Sequence, residues 1–103
     1  MHYIAIWRYE VRPERVDEFL GAYGPDGVWC RLFRRVDGYV TTYLLRDASS
    51  GTGFVTVDIW TSEAAYRTFR ARFSSEYEVA DLRCAELTVR EEKVAEGEAG
   101  GPR

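Results

Sequence analysis

The sequence predicts one α+β domain in which a four-stranded antiparallel-type sheet carries helices on one face only. Three observations predict it. The segments run strand, helix, strand, strand, helix, strand; the apolar residues switch between a period of two and a period near 3.6 from one segment to the next; and both sides of the first strand carry large apolar groups. At 103 residues the chain has the size of a single compact domain. With 46% apolar and 15% aromatic residues it is far from the composition of a disordered chain. Three Trp and seven Tyr exceed what so small a core needs, which suggests an aromatic-lined cavity, a dimer surface, or both.

In the first strand Tyr3, Ala5, Trp7, Tyr9 and Val11 alternate with Ile4, Ile6, Arg8 and Glu10. A strand with bulky apolar groups on both sides is central in its sheet and covered twice, by helices on one face and by something else on the other. Arg12-Pro13-Glu14 then sets Pro at a first helical position with an acid in the first turn, and Val16, Phe19, Leu20 and Tyr23 follow at helical spacing. Gly21 to Gly27 interrupts that helix. Pro25-Asp26 restarts one whose apolar stripe is Val28, Trp29, Leu32 and Phe33, so the first helical region is kinked or double.

Residues 39–46 (YVTTYLLR) and 54–60 (FVTVDIW) are β-branched and aromatic runs joined by the polar loop Asp47 to Gly53, which predicts a hairpin. Thr61-Ser62-Glu63 offers a cap and a first-turn acid to a helix bearing Tyr66, Phe69 and Phe73. Ser75-x-x-Glu78 reads as a capping box that opens a further helical piece. The last strand reads from Cys84 to Val94, with Ala85, Leu87 and Val89 on its apolar side, Glu86, Thr88 and Arg90 on the other, and charges from Arg90 to Lys93 that protect an edge. The domain thus spans 1–94, and 95–103, rich in Gly, Glu, Ala and Pro, reads as a flexible tail.

This β-α-β-β-α-β order is the ferredoxin-like one, with both helical regions on one face of the sheet. The other face, bearing Ile4 and Ile6, would expose more apolar surface than soluble monomers usually tolerate. Face-to-face pairing with a second copy is the simplest cover. A formal net charge of −3 without a basic stripe speaks against nucleic acid as a partner. No run approaches the ~18 apolar residues of a membrane span, and the start MHYIAIWRYEV lacks a leader pattern, so the expected location is the cytoplasm. Cys30 and Cys84 lie outside any C-x-x-C spacing and read as buried thiols rather than metal ligands. No metal cluster, phosphate loop, or nucleophile with its base is visible.

Four stretches carry a resemblance: Ile6-Trp7-Arg8-Tyr9-Glu10-Val11-Arg12-Pro13; Tyr23-Gly24-Pro25-Asp26-Gly27 to Trp29; Leu32-Phe33-Arg34 to Gly38-Tyr39; and Asp58-Ile59-Trp60-Thr61-Ser62-Glu63-Ala64-Ala65-Tyr66. In this order, over roughly residues 3 to 94, the chain resembles antibiotic-biosynthesis-monooxygenase domains. The resemblance implies a homodimeric α/β barrel. Some members oxidise aromatic polyketides with O₂ and no metal or flavin, and others degrade haem. The haem-degrading branch uses an Asn on the first strand, a Trp on the second helix and a His ligand soon after. Here Trp7 and Phe69 stand at the first two places, and the sole His is His2. The implied activity is therefore that of a cofactor-independent monooxygenase on a small hydrophobic aromatic substrate.

Such chemistry asks for little, because an ionised phenol or enol can itself pass an electron to O₂. The protein need only bind the ring, help to deprotonate it and exclude water. Trp7, Tyr9, Trp29, Phe33, Tyr66 and Phe69 are the candidate wall, or else ordinary core aromatics. Arg8 and Asp58 sit mid-strand among apolar neighbours, where an isolated charge costs several kcal/mol. Either they pair, directly or across a dimer, or Arg8 steadies a phenolate while Asp58 handles a proton. A non-catalytic binding or dimerisation domain, and an isomerase or cyclase, are the alternative readings of the same scaffold.

Overall fold

The computed structural model describes residues 1–101. Four strands, β1 (Tyr3–Val11), β2 (Tyr39–Arg46), β3 (Gly53–Trp60) and β4 (Thr88–Glu98), form one sheet in the order β2-β3-β1-β4, with every neighbouring pair antiparallel. The first helical region is indeed double. A 3₁₀ turn (Pro13–Arg15) leads into α1 (Val16–Tyr23), and α2 (Val28–Phe33) follows. The second comprises α3 (Glu63–Arg72) and α4 (Ser74–Cys84).

The alternation in β1 and β3 decides which side the helices cover. Tyr3, Ala5, Tyr9 and Val11 of β1 and Phe54, Thr56, Asp58 and Trp60 of β3 are buried beneath them. Phe19, Trp60 and Phe69 are the fully buried centre of this layer. The Phe33 ring meets Phe69 edge-on at 5.2 Å and Trp60 at 5.3 Å, spacings at which aromatic pairs attract beyond simple burial.

The break between α1 and α2 has a local cause. The Gly24 N–H closes α1 on the Leu20 carbonyl, and Gly27 stands at the cap of α2. A Cβ at Gly27 would lie 2.1 Å from the Ala22 carbonyl oxygen, so the turn closes only around a residue without a side chain. Because this turn aims Trp29, Cys30 and Phe33 inward, Gly27→Ala should cost about 1–3 kcal/mol, read as a lower melting temperature.

Ser62 caps α3 as expected, its hydroxyl accepting the Ala65 N–H at 3.1 Å. The expected capping box at Ser75 and Glu78 is not used. Helix α4 starts at Ser74 with Phe73 at the cap, and Phe73 serves both helices: its N–H bonds Phe69 O while its carbonyl accepts the Tyr77 N–H. The chain therefore bends at one residue that ends α3 and begins α4.

The last strand departs from expectation at both ends. Ala85–Leu87 form a 3₁₀ turn, Leu87 and Thr88 are buried, and Val89 is 63% exposed, so Thr88 and Val89 exchange the faces that alternation from Ala85 assigns them. At the other end β4 continues past Val94: Ala95, Glu96, Gly97 and Glu98 pair with Ile6, Ala5, Ile4 and Tyr3. Backbone hydrogen bonding to β1, with irregularities at Ile6/Trp7 and Glu10/Val11, holds a stretch whose composition reads as tail. Of that expected tail, Pro102 and Arg103 lie outside the described residues.

The far side of the sheet has no cover among the described residues. Ile4 and Ile6, with Val55, Val57 and Ile59, form its centre, and Tyr43 and Leu45 of β2 are 60% and 51% exposed. Arg8, Glu10, Arg90 and Glu92 lie at one end of this face by register. Arg8 is exposed there and not buried. Alternation puts it opposite Val55, while Asp58 lies opposite Ala5 on the helix side, so the two cannot pair within one chain.

Candidate active site

Between the helix layer and the sheet, the side chains leave a cavity of about 30 Å³, room for a water or two. Its floor comes from alternate residues of the strands: Trp7 and Tyr9 of β1, Thr42 of β2, and Thr56 and Asp58 of β3. Tyr23, Trp29, Cys30 and Phe33 enclose it from α1 and α2, and Tyr77 from α4. Asp81 and Glu91 complete the lining, so every charged residue on it is an acid.

Asp58 is the polar centre. It is 9% exposed, and burial raises its carboxyl to about 6, against the opposing hydrogen bond from Thr42. Thr42 Oγ1 donates to Asp58 Oδ1 at 2.8 Å, and the Tyr39 hydroxyl lies 2.8 Å from Thr42 Oγ1. Nearby, the Tyr9 hydroxyl meets Thr56 Oγ1 at 3.3 Å, and burial holds its proton on far above the usual range. The Tyr23 phenol is likewise raised, by burial, and that of Tyr77 reaches about 12, burial outweighing the Arg70 cation over its ring at 4.1 Å. The Glu91 carboxyl is raised too, by burial and then by the charge of Asp81. The Trp29 indole N–H is buried without a hydrogen-bond partner.

The arrangement therefore offers a buried carboxylate able to accept a proton near neutral pH, set among rings and phenols that keep theirs. Among the described residues no group of three His, Cys, Asp or Glu is placed to hold a metal ion.

Five of the eight residues singled out from sequence meet here: Trp7, Tyr9, Trp29, Phe33 and Asp58. Tyr66 and Phe69 lie beside it in the core, Tyr66 against Tyr3 and Trp60, and Phe69 against Phe33 and Trp60. Arg8 is on the opposite face of the sheet. Thr42, Cys30, Tyr23, Thr56, Tyr77, Asp81 and Glu91 join the lining without having been assigned to it. For Thr42 a signal existed, since pairing the two hairpin runs brings it beside Asp58.

A second polar cluster ties β4 to α3. Glu96 accepts from Lys93 Nζ at 2.6 Å, from Arg67 Nη2 at 2.8 Å, and from the Tyr3 hydroxyl. Burial acts to raise the Glu96 carboxyl, but these donors prevail and hold it at about 2. This lock explains how an acidic segment stays in the strand.

An open-faced ferredoxin-like layer over an aromatic cavity that holds one buried carboxylate defines a class of small α+β proteins. The sequence profile described as antibiotic biosynthesis monooxygenase matches residues 2–76, and the chain belongs to that family. Among solved structures it is similar to SnoaB, a cofactor-independent oxygenase from Streptomyces nogalater. Two structures of that protein give TM-scores of 0.74 and 0.71 at 19% and 20% identity, covering 98% of this chain and 95% of that one. It is also similar to Rv0793 from Mycobacterium tuberculosis, with a TM-score of 0.66 at 19% identity over 98% of this chain and 100% of that one. No curated protein matches the sequence.

Proposed function

We propose that the protein is a cofactor-independent monooxygenase that oxidises a hydrophobic aromatic phenol or enol with O₂. One observation carries this reading: Asp58 sits on an aromatic cavity wall with its carboxyl at about 6. A base of that strength accepts a proton at neutral pH more readily than an exposed carboxylate would. Asp58 removes the phenolic or enolic proton, and the electron-rich anion reduces O₂ by one electron. The two radicals join at the ring carbon, and the peroxide loses water to leave a ketone or quinone. Overall a CH₂ group and O₂ become C=O and H₂O, and the substrate supplies every electron. Trp7, Tyr9, Trp29 and Phe33 exclude water from the peroxide, with Tyr66 and Phe69 backing them.

The active form in this proposal is a homodimer closed over Ile6, Val57 and their neighbours, with Arg8 at the rim of the shared face. We assign it to the cytoplasm, a reading supported by two buried cysteines that are both free. No helix among the described residues is long and apolar enough to cross a membrane.

One observation favours a second reading, a non-catalytic dimerisation domain. A cavity of about 30 Å³ is far below the several hundred Å³ of ordinary ligand sites. On the first reading a ring enters only if the wall opens at Trp7 or Tyr77, which are packed at the margin of the core. Oxygen uptake with anthrone-like and hydroquinone-like compounds in metal-free buffer separates the two. The oxygenase consumes one O₂ per substrate oxidised; no uptake across the panel would leave the dimerisation reading.

A further inference from the structure

We propose that Thr42, backed by Tyr39, is a positioning residue that keeps Asp58 ionised and commits one of its two oxygens to the cavity. This rests on the reading of Asp58 as the base, which it deepens.

Each group in the chain has one hydrogen to give, and that count orients the whole line. Thr42 gives its hydrogen to Asp58 Oδ1 at 2.8 Å. Its oxygen is then free to accept, and the Tyr39 hydroxyl donates to it at 2.8 Å. The Cys30 sulfur, 3.6 Å from the Tyr39 hydroxyl, is a second and longer acceptor for that same hydrogen. Phenol and alcohol therefore both point toward the carboxylate, and such a line favours its charged form. Oδ1 is occupied, whereas Oδ2 has no hydrogen-bond partner among the described residues and is left for a substrate hydroxyl.

No other listener to the charge helps. The titratable groups that line the cavity around Asp58 or join its hydrogen-bond line are Tyr9 from β1, Tyr23 from α1, Cys30 from α2, Tyr39 from β2, Tyr77 and Asp81 from α4, and Glu91 from β4; none is a cation. Burial raises the carboxyl, and the Thr42 hydrogen bond is the one interaction that lowers it. The register makes this possible, because β2 and β3 pair Thr42 directly with Asp58 on the helix side of the sheet.

The test is a carbon NMR titration of the Asp58 carboxyl in the substrate-free, full-length protein, comparing wild type with Thr42→Val, Thr42→Ser and Tyr39→Phe. Valine keeps the shape of Thr42 and its β-branch at a half-buried strand position. Thr42→Val should raise the midpoint by about one pH unit or more, the size expected for losing a hydrogen bond to a charged group. Thr42→Ser should restore it, and Tyr39→Phe should raise it by less. An unchanged midpoint in Thr42→Val, or a serine variant that behaves like valine, would overturn the proposal. Oxygen uptake against pH is the second arm. If its acid limb follows the titration, both readings stand; if the midpoint moves while uptake is absent or indifferent, the positioning role stands and the base reading falls.

Discussion

Asp58→Asn should make the resting protein more stable at neutral pH while it slows turnover by orders of magnitude. In the folded chain the carboxyl sits at about 6, raised from 3.8 by burial. Below the lower value both states hold the proton, and the group's contribution is at its most favourable. Between the two values the unfolded chain has released its proton while the folded chain keeps it, so stability falls as pH rises, until the folded group ionises near 6. By pH 7 keeping a charge at this site costs about 3 kcal/mol, from a shift of roughly two units at about 1.4 kcal/mol each. Asparagine is neutral and can still accept the Thr42 hydrogen bond. The variant should therefore gain about 1–3 kcal/mol at pH 7, a rise of several degrees in melting temperature, and almost nothing at pH 4. Melts at the two pH values measure it. A gain of equal size at both would mean that charge is not the cause. In oxygen-uptake assays the same variant should lose about 10²- to 10⁴-fold in kcat, the usual worth of a positioned base. A residue whose cost to stability builds up between its unfolded and folded pKa values is hard to explain by packing, which is why the paired result bears on function.

Residue pattern carried the architecture much further than it carried the site. Alternation in β1 and β3, the paired helical regions and the bare sheet face all follow from side-chain period, because burial selects one face of a strand or helix. Pattern failed where the backbone decided. Nothing in the residues Ala95 to Glu98 marks a strand; their pairing with β1 and the grip of Lys93, Arg67 and Tyr3 on Glu96 do. The shift of face at Thr88 follows from a 3₁₀ turn at Ala85–Leu87 that no cap or glycine announces. Arg8 and Asp58 looked alike as mid-strand charges, yet the two positions have opposite parity in a shared register, and only one faces the helices. Parity alone separates them, and it was available once β1 and β3 were taken as neighbours. Thr42 could be found only through the hairpin register, which runs unbroken from Arg46 opposite Phe54 to Thr42 opposite Asp58.

Val57→Lys should break the proposed dimer and leave the cavity intact. Val57 lies at the middle of the uncovered face, opposite Ile6 on β1 and Tyr43 on β2, and none of the three is fully buried within the chain. A two-fold interface is self-complementary, so a lysine there meets an apolar patch and approaches its own copy. Burying an unpaired ammonium costs several kcal/mol, and two of them enter one interface. Association should weaken at least about 100-fold, which at about 1.4 kcal/mol per tenfold asks for only about 3 kcal/mol of that cost. Sedimentation at micromolar concentration should then find wild type as dimer and Val57→Lys as monomer. Arg8→Glu, at the charged end of the same face, should shift the equilibrium much less, because a rim charge stays solvated. Val57 points away from the helices, so the Asp58 titration should survive in the variant if the single chain holds its fold. A wild-type monomer at that concentration would remove the dimer from the proposal, and the apolar row Ile4, Ile6, Val55, Val57 and Ile59 would then have no cover to explain it.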